Sequence, residues 1–96
     1  MSADPIVHRF RNQIVQIASE HGASHVRAFG SRARIDGQQA SDLDLLVDLE
    51  EGRTLLDLVR LKRELEELTA RPVDVVTEAS LSPHMRDQVL AEAVLL

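Results

Sequence analysis

Apolar positions along this chain follow two periods, and the switches between them mark out the elements. Between residues 4 and 21, Ile6, Phe10, Ile14 and Ile17 recur at helical spacing. Asp4 suits the N-cap of that helix and Pro5 its first position, where a missing N–H is tolerated. Gly22 supplies the stop. "HVRAF", residues 25–29, reads as a short strand with Val26 and Ala28 on one face. Gly30-Ser31 turns the chain, "SRAR" suits one helical turn, and "IDGQQAS", residues 35–41, is loop by its polarity and glycine. The clearest period of two is "DLDLLVDL", residues 42–49. It sets Leu43, Leu45, Val47 and Leu49 against Asp42, Asp44, Leu46 and Asp48. After the turn "EEGR", Thr54 caps a helix running to about Thr69, striped by Leu58, Leu61, Leu65 and Leu68. "RPVDVVT" is a third strand, with Pro72 at its start where a missing donor does no harm. Ser82-Pro83 opens the last helix, with Met85, Val89 and Ala93 inward. This order of elements predicts an α/β (α+β) fold, a small three-stranded sheet flanked by about four helices.

Composition narrows the function. At 96 residues the chain is expected to form one domain, residues 1–96, with a single core. Its net charge of -5 disfavours stable nucleic-acid binding. With two Phe and no Trp or Tyr it offers no aromatic platform for bases. The absence of cysteine excludes disulfides and thiolate metal sites. No apolar run approaches the roughly 20 residues that cross a bilayer, and "MSADPIVHRF" lacks a signal peptide's apolar block. The expectation is a cytoplasmic protein with no membrane partner.

Candidate chemistry sits in "AFGSRARIDGQQASDLDLLVD", residues 28–48. Asp42 and Asp44, alternate residues of a strand, lie about 6.6 Å apart along it. They repel by about 2.5 kcal/mol at an effective dielectric of 20, and by about 0.6 in water, which an exposed strand tolerates. An Asp-x-Asp pair alone carries no information, because a chain of this composition holds about 0.7 of them by chance. A Gly-Ser dipeptide at one fixed upstream offset lowers the joint chance to the order of 0.002. The parts also belong together chemically. A strand that ends in Gly-Ser presents backbone N–H groups and a hydroxyl to a triphosphate tail. Carboxylate oxygens at strand spacing suit Mg²⁺, and a third would let two ions flank an in-line displacement at phosphorus. Asp74, mid-strand in an apolar run, is the candidate third; its other reading is an edge-strand residue facing water.

Gly30-Ser31, ten residues, Asp42-Leu43-Asp44 and then Asp74 on a later strand resemble the DNA polymerase β-type nucleotidyltransferase superfamily. "GSRAR…SDLDLLV" and the ending "LAEAVLL" are most similar to its minimal nucleotidyltransferases, commonly antitoxins paired with HEPN-type ribonuclease toxins. The resemblance implies a mixed sheet flanked by helices. It implies that Asp42, Asp44 and Asp74 are catalytic and ligate Mg²⁺, in a two-metal site, with Asp74 beside the attacking hydroxyl. Gly30, Ser31, Arg32, Arg34 and Ser41 would bind the nucleotide. It further implies transfer of AMP from ATP to a hydroxyl of the toxin, a tyrosine in the family's known chemistry, which silences the nuclease. One departure stands out: Ile35 occupies the position after the second arginine where the family usually has glycine, although the loop to Asp42 keeps its length. A dormant nucleotide site in an antitoxin that works by binding alone is the alternative.

Other features read as structural. His21 and His25 are expected to be solvated or capping, because Gly22 breaks the helical register between them. The Leu58–Leu68 stripe is core. "ELEEL" is a solvated face on which Arg60 and Arg63 could pair with Glu64 and Glu67 at i,i+4. Asp48 lies about 13 Å along the strand from Asp44, beyond the site.

Overall fold

The computed structural model describes residues 5–29 and 43–96. Helix α1 spans Pro5–Glu20, strand β1 Ala23–Phe29, strand β2 Leu43–Leu49, helix α2 Leu55–Thr69, strand β3 Val73–Val76, helix α3 Pro83–Glu92 and strand β4 Val94–Leu95. A short 3-10 turn at Glu78–Ser80 follows β3. The sheet runs β3-β2-β1-β4 and is mixed: β2 and β3 are parallel, whereas β1 is antiparallel to both β2 and β4.

The α/β class and the mixed sheet are as expected, but the details differ at the C-terminal end. The sheet has a fourth strand, and three α-helices rather than four are found among the described residues. The expected turn over "SRAR" lies outside them. Helix α3 stops at Glu92 with Ala93 as its C-cap, and Val94 and Leu95 pair with Ala28 and Arg27. A short apolar run does not distinguish helix from strand by periodicity. The helix has one buried residue, Val89, while Met85 is exposed.

The core lies between one face of the sheet and helices α1 and α2. Val7, Ile14 and Ala18 from α1, with Leu58, Leu61 and Leu65 from α2, cover Val26, Ala28, Leu43, Leu45, Val47, Val73 and Val75. The leucine stripe is therefore core, with Leu68 packed at its margin. Alternation in β2 predicts one dry and one wet face, yet Leu43 through Val47 are all buried. Leu46, on the second face, is 0% exposed, and the 3-10 turn lies close to β2. A central strand of an α/β sheet is covered on both sides, which alternation alone underestimates.

Local chemistry fixes the ends. Gly22 closes α1 at φ +77°, and a Cβ there would collide with the Arg53 side chain. His21 is partnered rather than solvated: Nε2 lies 2.8 Å from Glu64 Oε2, tying the end of α1 to α2. His25 takes φ +49° at a bulge in β1 between Ser24 and Arg27. Its Nδ1 lies 3.1 Å from Asp48, to which Arg27 also donates at 2.9 Å. Asp48 thus belongs to this far end of the sheet, as its spacing implies. On α2 the expected Arg60–Glu64 and Arg63–Glu67 pairs do not form; the helix pair present is Lys62–Glu66, at 3.5 Å.

Thr54 caps α2 as predicted, and its backbone N–H donates to the Asp57 carboxylate at 2.9 Å. That hydrogen bond, with Arg53 nearby, holds the Asp57 carboxyl below its ordinary 3.8. A carboxyl with a lowered folded-state pKa stabilises the fold at pH values above its ordinary pKa. That contribution is lost as pH falls through the folded-state value. Asp57→Asn should therefore weaken the protein at neutral pH, and the gap from wild type should close below about pH 4. Denaturant titrations across that range check it; a gap constant with pH would contradict it.

Candidate active site

Strands β2 and β3 set out together from one end of the sheet. The Leu43 N–H donates to the Pro72 carbonyl at 3.3 Å, which fixes the parallel register at its first step. The register pairs Leu43 with Val73, and then Asp44 with Asp74. Adjacent strands are about 4.8 Å apart, and residues paired in register project to the same face. Val73 and Val75 point into the core, so Asp74 is on the opposite face, with Asp44 beside it. The two acids that lie 30 positions apart in sequence are therefore neighbours in space.

Strand β1 ends at Phe29, whose antiparallel partner is also Asp44. Phe29 and Leu43, the described residues on either side of positions 30–42, thus both adjoin this pair. Gly30, Ser31, Arg32, Arg34, Ile35, Ser41 and Asp42, all singled out in the sequence, lie outside the described residues. Among the described residues no group of three His, Cys, Asp or Glu assembles, and Asp42 falls just beyond them.

The electrostatics differ from the sequence expectation in one respect. Asp44 is 3% exposed, flanked in β2 by the buried Leu43 and Leu45, so it is no surface carboxylate. Asp74 is half-buried on the outer strand, so its water-facing alternative is only partly met. At about 5 Å and an effective dielectric of 20, the pair repels by about 3 kcal/mol. Burial of a carboxylate adds a desolvation term that requires compensation. An all-oxygen donor pair with net negative charge is what a hard divalent cation requires, and it excludes softer preferences for sulfur or nitrogen. The oxygen donors of the described residues therefore suit a hard divalent cation, Mg²⁺ among them.

A family model described as the nucleotidyltransferase domain matches residues 11–96. The chain belongs to that family. The nucleotidyltransferase domain is 44% identical over 88 residues to a Methanocaldococcus jannaschii chain provisionally named a protein adenylyltransferase, covering 92% of this chain and 95% of that one. A solved structure described provisionally as a minimal nucleotidyltransferase superposes with a TM-score of 0.78 at 47% identity, over 99% of this chain and 97% of that one. The fold also matches a chain from the complex of the tri-AMPylated Shewanella oneidensis HEPN toxin with its MNT antitoxin. That match has a TM-score of 0.68 at 18% identity, over 92% of this chain and 69% of that one. Nucleotidyltransferase is accordingly the enzyme class of this domain, and the minimal nucleotidyltransferases are its homologues. No helix among the described residues is long and apolar enough to cross a membrane.

One contact at the start of β3 cannot be foreseen from the sequence. Glu66, taken for part of a solvated helix face, accepts the backbone N–H of Val73 at 3.0 Å. Charge spacing along a helix reports i,i+4 neighbours, and nothing in it reveals a bond to a strand that begins seven residues later.

Proposed function

We propose that this protein is a metal-dependent adenylyltransferase that transfers AMP from ATP to a hydroxyl, on a tyrosine, of a HEPN-type ribonuclease toxin. Its biological role is that of the toxin's antitoxin. The observation that carries this reading is the register of Asp44 with Asp74 on parallel strands, inside a nucleotidyltransferase domain. The relatives support the finer points: one is named for protein adenylyl transfer, and a fold neighbour is an antitoxin bound to its AMPylated toxin.

In this reading Asp42, Asp44 and Asp74 would hold one or two Mg²⁺ ions, whose chemistry when bound is to neutralise phosphate oxygens and favour the ionised nucleophile. Gly30 and Ser31, with Arg32, Arg34 and Ser41, receive the triphosphate. The toxin hydroxyl oxygen attacks the α-phosphorus, and the bond from that phosphorus to the β-phosphate's bridging oxygen breaks. Pyrophosphate leaves with that electron pair. In this reading Asp74, on the outer strand, would take the hydroxyl proton. The domain encloses no acceptor of its own in this reading, so a separately encoded helical partner presents the hydroxyl in a hetero-oligomer. The whole of residues 1–96 acts as one domain, in the cytoplasm, without nucleic acid.

Ile35 favours a second reading, in which the nucleotide site is dormant and the protein neutralises its partner by stoichiometric binding. Co-expression separates the two. Asp42→Asn/Asp44→Asn, produced to the wild-type level, should fail to rescue cells from the toxin while still binding it. Full rescue by the double variant would establish masking instead.

A further inference from the structure

Strand β3 begins at an open edge. β2 flanks it on one side, and the sheet of the described residues has no strand on the other. The Pro72 carbonyl faces β2, where it accepts the Leu43 N–H. Backbone alternation then turns the Val73 N–H outward, away from the ladder. Val73 itself is fully buried, and a backbone donor there requires an acceptor. The acceptor is the Glu66 carboxylate, reaching from the last turns of α2 with Lys62 beside it. The first residue of β3 is thereby fixed from both sides, by β2 through Pro72 and by α2 through Glu66. The next residue is Asp74.

We propose that Glu66 is a positioning residue for Asp74, anchoring the start of β3 so that Asp74 stays in register with Asp44 for a divalent cation. The proposal rests on the metal reading given above. It requires an acceptor oxygen at the right reach and makes no use of the charge. A purely electrostatic role would require the opposite. Glutamine keeps the reach and the oxygen but loses the charge, whereas aspartate keeps the charge and loses the reach.

Two readouts on the full chain test it: amide hydrogen exchange at Val73 and Asp74, and Mn²⁺ binding followed by electron paramagnetic resonance. Glu66→Ala and Glu66→Asp should speed exchange at these amides by about tenfold or more while leaving β1 unchanged. Both should weaken Mn²⁺ binding by about tenfold, the scale on which groups that orient a ligand act. Glu66→Gln should match wild type within about twofold in both readouts. The proposal is overturned if Glu66→Asp matches wild type and Glu66→Gln does not, or if Glu66→Ala binds Mn²⁺ as wild type does. Failure of the wild type itself to bind Mn²⁺ is a different result. It would overturn the metal reading, and the proposal with it.

Discussion

Asp44→Asn should abolish nucleotidyl transfer while leaving the protein folded. Asparagine preserves the shape of a side chain that is 3% exposed, and it retains one oxygen for hydrogen bonding. What it removes is the charge that, in the proposed reading, Asp44 offers to a divalent cation with Asp74 alongside. Groups that merely orient a metal ligand cost about 10–100-fold in affinity or activity when lost, so loss of the ligand should cost at least about a hundredfold. A ligand that binds only the native state raises its stability. Mg²⁺ should therefore raise the melting temperature of the wild type and leave that of Asp44→Asn unmoved. In metal-free buffer Asp44→Asn should melt no more than about 5 °C below the wild type, because the core is untouched and loss of one charge relieves the repulsion with Asp74. Transfer at the wild-type rate by a folded Asp44→Asn protein would remove the acid pair from the mechanism.

Leu45→Ala should produce the largest loss of stability. Leu45 is 0% exposed in the middle of β2, on the face covered by α1 and α2. Truncation there removes buried methyl groups and leaves a cavity that strands on either side cannot fill, at about 2–5 kcal/mol. Against a total of about 5–15 kcal/mol for a domain, that is a large fraction. It corresponds to a fall in melting temperature of roughly 10 °C or more at this size. Leu56→Ala is the control: that side chain is 55% exposed, and its loss should change stability by no more than about 0.5 kcal/mol. Thermal melts of the two variants decide the point, and equal effects would place the core elsewhere.

What was legible in the sequence was local. The spacing of Ile14, Leu58, Leu61 and Leu65 marks the helices, and the Leu43–Leu49 alternation marks β2, because each follows from the period of one element. Thr54 and Gly22 mark boundaries through cap and left-handed backbone chemistry that any chain must satisfy. Relations between elements were legible only through the motif resemblance. Nothing local states that Asp74 pairs with Asp44, since a parallel register depends on a crossover helix and on bonds such as Leu43 to Pro72. The burial of Asp44 and Leu46 depends on what covers the second face of β2, and alternation predicts that face to be wet. Strand β4 is two residues long, too short for any period to show. The Glu66 bond to Val73 is tertiary in the same sense. Of the candidate site, Asp44 and Asp74 are brought together, while the Gly30-Ser31 turn and Asp42 lie outside the described residues.

The measurement closest to the central claim follows the label from ATP. The purified protein, Mg²⁺ and an extract of its native host would be incubated with ATP labelled on the α-phosphate. Parallel reactions would use γ-labelled ATP and the Asp44→Asn variant. One protein band is expected, labelled from the α-phosphate only and by the wild type only, at the size of the partner recovered by pull-down. A partner that is recovered but carries no α-label would contradict catalysis and leave an antitoxin that acts by binding.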